Sequence, residues 1–314
     1  MKNLLDRRLI INMGKGGVGK SVISASLAKL AVDSGKRVLL VQINTQDKIS
    51  DYLGVKKSTG EISEVMPNLF SVNISPDKAL KEYALMQVKI EFIYKLVFEN
   101  RAVRYFLRAV PALNDLVVLG KIYYHVNQTF KRSDRPLYDL IIVDAPPTGH
   151  GMFLINLPNV MLKVVKNGPI FREATGMQSM LRDPSKTLIN LISLAEEMPV
   201  AETMEMYEAI RDDYNYPMGL LFVNAVFPDM FDTEDENCIL NLVGQGDDDL
   251  HLSSLGKIAA TVSSRRRLCE KYLKMLEENI SLPMTKVPYI FSRNFGPKEV
   301  QRVIDAIRQK VVEV

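Results

Sequence analysis

Residues 9–21 read Leu9-Ile10-Ile11-Asn12-Met13-Gly14-Lys15-Gly16-Gly17-Val18-Gly19-Lys20-Ser21, and this run decides the fold. Leu9 to Met13 is a short, mostly apolar strand, the glycines form a loop, and Ser21 to Ser34 is a helix that Gly35 stops. The pattern G-x-x-x-x-G-K-S between a strand and a helix is a phosphate-binding loop. Its glycines let successive backbone N–H groups turn inward around an anion, and the helix N-terminus adds partial positive charge. Lys20 is placed to reach the β- and γ-phosphates of a nucleotide, and the Ser21 hydroxyl to ligate Mg2+. Gly14, Lys15, Gly16, Gly17, Val18, Gly19 and Val22 complete the expected contact set, so ATP or ADP with Mg2+ is the implied ligand.

Working outward, further buried strands are expected at Arg37 to Asn44, Leu69 to Ile74, Tyr138 to Asp144, Thr187 to Leu194, Met218 to Asn224 and Pro283 to Pro288. Strands alternating with helices imply an α/β fold with a doubly wound, mostly parallel sheet covered on both faces. Residues 76–135 break the alternation: they are helical in pattern, apolar, and interrupted by Pro111. A crossover needs only about a dozen residues, so this stretch is read as a helical insertion. Residues 152–186 form a second helical region, and Gly244 to Asp249 a loop tip. With no internal repeat or linker, residues 1–314 read as a single domain carrying helical insertions.

A net charge of +3 is too small to argue for a nucleic-acid or membrane partner. No apolar run approaches the length of a spanning helix and no signal peptide is visible, so the expectation is a cytoplasmic protein without stable membrane insertion. Cys238 and Cys269 form no C-x-x-C pair and are expected to be small buried hydrophobes.

The second lysine narrows the class. Gly14-Lys15-Gly16-Gly17-Val18-Gly19-Lys20-Ser21 resembles the deviant Walker A loop of the MinD, ParA, nitrogenase iron-protein and arsenite-pump ATPases. That resemblance implies that Lys15 reaches the phosphates of a second nucleotide across a dimer, as an arginine finger does. Asp144 ends a buried strand and is followed by Ala145-Pro146-Pro147-Thr148-Gly149-His150-Gly151, which looks like the second switch of the ArsA family. Asp144 would then hold Mg2+ through water, and Pro147, Thr148, Gly149 and His150 would couple phosphate state to helix position. Glu196 to Thr203 (E-E-M-P-V-A-E-T) resembles a stretch of bacterial ArsA-like proteins. Val223-Asn224-Ala225-Val226 matches the family segment whose Asn contacts adenine, and Val287-Pro288 resembles the loop that packs on the adenine ring. Asn224 carries both a donor and an acceptor, as an adenine edge requires.

The chain also departs from that family. In hydrolysing relatives the second strand ends in an Asp that orients or activates the attacking water; here a gapless alignment places Asn44 there. An amide can hold a water but cannot take its proton, and loss of a general base costs roughly 10²- to 10⁴-fold in rate. Three readings stay open: Asp47 or Asp51 takes over, the chain is a slow or inactive hydrolase acting through ATP binding or an active paralogue, or the Asn is an engineered trap. The cysteine cluster of the arsenite pump and the C-x-x-C zinc clip of the tail-anchored targeting ATPase are both missing from the sequence.

The resemblance implies a homodimer, or a heterodimer with a paralogue, that uses ATP to move a helical subdomain. Lys81 to Val126 carries Met86 and many Phe, Leu, Ile and Val residues, and Met152, Met161, Met177 and Met180 follow the second switch. These residues either line a groove for a hydrophobic helix or pack the insertion onto the sheet. A rival reading is a non-hydrolysing scaffold paired with an active paralogue, and a third a MinD- or ParA-type spatial regulator. The Arg265-Arg266-Arg267 run shares its helix with glutamates and reads as a solvated face. Val300, Val303, Ile304, Ile307 and Val311 share a helical face whose reverse carries mixed charge, which favours packing over lipid binding.

Overall fold

The computed structural model describes residues 3–43, 46–57, 60–75, 111–130, 133–231, 234–235, 237–238 and 250–313. Strands β1 (Leu9–Met13), β2 (Val38–Ile43), β3 (Ser63–Met66), β4 (Leu69–Ile74), β5 (Leu140–Asp144), β6 (Thr187–Leu194), β7 (Met218–Val226) and β8 (Met284–Pro288) form one sheet in the order β3-β4-β2-β5-β1-β6-β7-β8. Every neighbouring pair is parallel except β3 with β4. The central strands are buried along their whole length, which is why they read as unbroken apolar runs rather than as alternating ones.

Helices α1 (Lys20–Asp33), α2 (Ile49–Leu53), α3 (Pro111–Asn127), α4 (Thr148–Val164), α5 (Pro169–Arg182), α6 (Glu197–Glu208), α7 (Leu250–Asn279) and α8 (Pro297–Glu313) cover the sheet. A π-helical turn, Ala209–Tyr214, prolongs α6. One apolar core joins α1 and α8 to one sheet face through residues such as Ile10, Leu40, Ile142, Leu27 and Ile304. The other face carries α3, α4, α5, α6 and α7, with Ile11, Val41, Val143, Ile122, Ile155 and Leu181 in its core. The chain therefore leaves β1 toward one face and β5 toward the other. That divergence opens a crevice at the carboxyl edge of the sheet between two adjacent strands, the place where open α/β sheets bind ligands.

The expected strands appear within a few residues of their sequence-based bounds. The expectation missed β3, whose residues are half-exposed to exposed and lack an apolar run. It is an edge strand made by a tight turn at Asn68, where φ is 64°. Within the expected insertion, α3 covers the described part, Pro111–Asn127; residues 76–110 lie outside the described residues, as does the loop tip at 244–249. The second helical region is α4 and α5, and Met177 and Met180 are buried in the core as packing residues. Val300, Val303, Ile304, Ile307 and Val311 are all buried against the neighbouring elements, so that face of α8 is occupied within the fold. The cysteine expectation needs correction: Cys269 is buried, but Cys238 is exposed. No described helix is long and apolar enough to cross a membrane.

Candidate functional site

The loop from β1 to α1 turns on Gly17 (φ 87°) and Gly19 (φ 93°), conformations that L side chains rarely adopt. Gly14 serves a different need. A Cβ there would run into the backbone oxygen of Ile192 on β6, so the loop packs directly on the neighbouring strand. At Gly19 an added Cβ would strike the side-chain amide of Asn224, which donates from Nδ2 to Val18 O at 3.0 Å. Asn224 is brought there by an irregularity in β7: pairing with β8 shifts register between Val223 and Val226, and Ala225 takes a φ of 52°. Gly19 is the N-cap of α1 with no side-chain cap hydrogen bond; its carbonyl accepts from Val22 N and Ile23 N at 3.1 Å, which leaves the N–H groups of Lys20 and Ser21 without an intrahelical partner.

Two cationic side chains lie on this loop. Lys20 is buried and donates to Gly14 O (2.9 Å) and Lys15 O (2.8 Å); burial lowers its pKa, against the pull of nearby Asp144. Lys15 points the other way. Its Nζ lies 2.5 Å from Glu202 Oε1 on α6, and Thr148, the first residue of α4, donates to Glu202 Oε2 at 2.9 Å. One carboxylate thus ties the loop to the start of α4. The Lys15 hydrogen bond is the chief cause of a lowered Glu202 pKa.

Ser21 Oγ donates to Asp144 Oδ2 at 2.7 Å, and Ser24 Oγ to Asp144 Oδ1 at 3.3 Å. Asp144 is 5% exposed, and burial pushes its pKa up against the opposing hydrogen bonds and Lys20. A cavity of about 510 Å³ opens over this cluster, within the range of small-molecule sites. Gly16, Gly17, Gly19, Lys20, Ser21 and Val22 line one side, and Asp144, Pro147 and His150 the other. Gly14, Lys15 and Val18 frame it through the loop backbone, while Thr148 and Gly149 begin α4 beside it.

The fit to a magnesium nucleotide follows from these donors. A hydroxyl and a carboxylate are hard oxygen ligands of the kind Mg2+ takes, and uncapped helix N–H groups with a buried lysine suit phosphate. Asn224 abuts the loop from the side of β7, but neither it nor Pro288, at the end of β8, is part of the cavity lining. Asn44 lies outside the described residues. Both carboxylate oxygens of Asp47 are engaged: Oδ1 accepts from Gln42 Nε2 (3.1 Å) and Ser50 N (3.0 Å), and Oδ2 from Ser50 Oγ (2.6 Å). Asp47 is thus a brace for the start of α2.

Some site residues were not singled out from sequence. Tyr52 of α2 and Asp115 of α3 line the cavity, and the Asp115 pKa is raised by burial and pulled back by His150. Asp115 brings the described part of the insertion to the second switch. Glu202 stood inside a quoted motif but had no role, because its partners are distant in sequence. Beyond the cavity, the rings of Phe227 and Tyr289 stack at 4.8 Å, Arg265 lies over Phe227, and Arg266 donates to Phe227 O at 2.7 Å. The arginine run is therefore partly docked on the end of β7 rather than wholly solvated. Among the described residues, no cluster of His, Cys, Asp and Glu has the composition of a separate metal site.

Comparison with known proteins agrees with this fold. The family model for the anion-transporting ATPase matches residues 7–168. ATPase BagA of Mycobacterium tuberculosis is 30% identical over 239 residues, covering 73% of this chain and 68% of the relative. ATPase GET3 of Podospora anserina is 23% identical over 96% of this chain and 91% of its own length. An ATPase ASNA1 homolog of Entamoeba histolytica is 26% identical over 70% of this chain and 68% of its own.

Proposed function

Since this chain belongs to the anion-transporting ATPase family, we propose that it binds MgATP at the Gly14–Ser21 loop and closes with a second family chain around the nucleotide, turning over slowly. The observation that carries this reading is the convergence of Lys20, Ser21 and Asp144 under one cavity at the carboxyl edge of the sheet. Lys20 leaves its loop carbonyls for the β- and γ-phosphates, Ser21 and Asp144 hold the cation, and Asn224 presents its side-chain oxygen to adenine. A bound Mg2+ would supply charge neutralisation at the phosphate oxygens. Lys15 leaves Glu202 to serve the partner's nucleotide. Glu202 then keeps only its bond from Thr148, so a change at the loop is felt at the start of α4 through one carboxylate. The partner is a second copy or a paralogue, and α3 and α4 carry the motion toward a client or partner surface.

Slow turnover follows from position 44. Asn44 offers no base, and Asp47, with both oxygens committed to Ser50 and Gln42, is poorly placed to replace one. The test is hydrolysis by the native chain beside Asn44→Asp, after MgATP binding has been measured for both, with sedimentation to follow ATP-dependent association. Turnover rising roughly 10²-fold or more in Asn44→Asp is the expected result. Equal rates in the two proteins would return the catalytic role to Asp47 or Asp51.

A further inference from the structure

The carboxyl-edge row of the sheet is polar across five strands. Asn73, Gln42, Asp144, Asn12 and Asn190 are Cα partners in sequence across β4, β2, β5, β1 and β6. Asn12, Asn190 and Gln42 are fully buried, and Asp144 nearly so. Strand alternation places them on the α1 face, where their neighbours along each strand, Ile10, Leu40, Ile142, Leu188 and Ile192, are core residues. An apolar row would pack better at less desolvation cost, so polar side chains at this level need a reason.

The hydrogen bonds in this row have a forced direction. Leu220 N, a backbone group that can only donate, bonds Asn190 Oδ1 at 3.0 Å. The remaining end of the Asn190 amide is then a donor, and its Nδ2 reaches Asn12 Oδ1 at 3.0 Å. That fixes Asn12 in turn, and its Nδ2 donates to Ser24 Oγ at 2.9 Å. Ser24 has one proton. With Asn12 occupying the oxygen as an acceptor, the proton goes to Asp144 Oδ1. A buried helical serine otherwise turns to the carbonyl one turn back. Here it is directed to the carboxylate.

We propose that Asn190, Asn12 and Ser24 form a one-way relay that sets the Asp144 carboxylate for Mg2+, making these three positioning residues for the metal. The proposal rests on the nucleotide reading above. It assigns the two carboxylate oxygens different tasks: Ser24 holds Oδ1, while Oδ2, now bonded to Ser21, is the oxygen released when that hydroxyl turns to the cation. The relay keeps Asp144 oriented at the moment Ser21 leaves it. Its origin in a backbone N–H on β7 means the orientation is anchored in the sheet and not in the phosphate loop.

The test is binding of a fluorescent ATP analogue by the full chain, in EDTA and across a Mg2+ series, for the native protein, Ser24→Ala, Ser24→Thr and Asn190→Leu. Urea unfolding of each protein confirms that it is folded. Losing a short hydrogen bond to a charged group corresponds to about tenfold or more, and the Ser24 bond, at 3.3 Å, is a long one. Ser24→Ala is therefore expected to raise the Mg2+ concentration for half-saturation several-fold, with a much smaller change in EDTA, and Ser24→Thr to restore it. Asn190→Leu touches neither Asp144 nor the loop. It lets Asn12 turn over and take the Ser24 proton, so a several-fold rise is expected there too. Unchanged Mg2+ half-saturation in Ser24→Ala, with the native chain binding normally, overturns the relay. Absence of Mg2+-dependent binding by the native chain overturns the nucleotide reading itself, so the two failures are distinguishable.

Discussion

Replacing Gly19 by Ala tests how the phosphate loop is held against β7. Two costs are separable. The backbone at Gly19 has φ 93°, and a left-handed conformation costs an L residue about 1–2 kcal/mol. The new Cβ also occupies the position of the Asn224 amide nitrogen, forcing that side chain away and breaking its bond to Val18 O, worth about 1 kcal/mol. The single variant should thus lose about 2–3 kcal/mol in equilibrium urea unfolding. Asn224→Ala alone should lose about 1 kcal/mol. In the double variant the collision is gone and the hydrogen bond already lost, so adding Gly19→Ala costs only the backbone share. A cycle of the four proteins, compared at matched m values, should give a coupling of about 1 kcal/mol, above the few tenths expected of independent sites. Additivity within those few tenths would refute the contact. Gly14→Ala is the control, because its Cβ meets the backbone oxygen of Ile192, which no side-chain deletion removes.

Four other outcomes are open to direct measurement. Glu202→Gln removes an ion pair whose partners are 29% and 27% exposed, so the loss at neutral pH should stay at about 1 kcal/mol or below. The folded-state pKa of Glu202 lies below its ordinary value, so the stabilisation is present above that value and disappears as pH falls through the folded pKa; native and Glu202→Gln unfolding curves should converge in acid. Asp144 has the opposite sign: its folded pKa is raised by burial, so ionisation costs stability as pH climbs through the carboxylate range. Asp144→Asn should stabilise the nucleotide-free chain by about 0.5–2 kcal/mol while removing Mg2+-dependent binding, checked by thermal unfolding and titration. Asp47→Ala should cost about 1 kcal/mol through the start of α2, and leave turnover of the Asn44→Asp protein within a few-fold. Lys20→Met should abolish nucleotide binding by equilibrium dialysis, with native-like stability, since Lys20 now bonds only carbonyls of its own loop.

The phosphate loop was legible because local sequence is sufficient for it: glycine spacing fixes the turn, and the flanking strand and helix are contiguous. The central strands were legible because both faces are buried and apolar runs follow directly. Edge strand β3 was not, since half-solvated residues carry no such run. Glu202 could be quoted within its motif but given no role, because the pairing with Lys15 spans 187 positions and depends on how α6 crosses the carboxyl edge of the sheet.

The polar row is the instructive intermediate case. Each of five strands carries one amide or carboxyl close to its carboxyl end: L-I-I-N-M, V-L-L-V-Q-I, L-F-S-V-N-I, L-I-I-V-D and, further from its end, T-L-I-N-L-I-S-L. Any one alone reads as a tolerated polar residue in a buried strand. Only register turns them into a row, and register depends on strand order, which no single strand encodes. The sequence does hold a constraint, however. A buried amide must find partners for both of its ends, and an isolated one in an apolar strand cannot. Two such residues at matching depth, as Asn12 and Asn190 are, satisfy one another when their strands are neighbours. Here that pairing leads to Asp144, the one member of the row that ionises. The hydrogen-bonding demand of Asn190 and Asn12 and the geometry of the proposed cation site thus meet at Ser24.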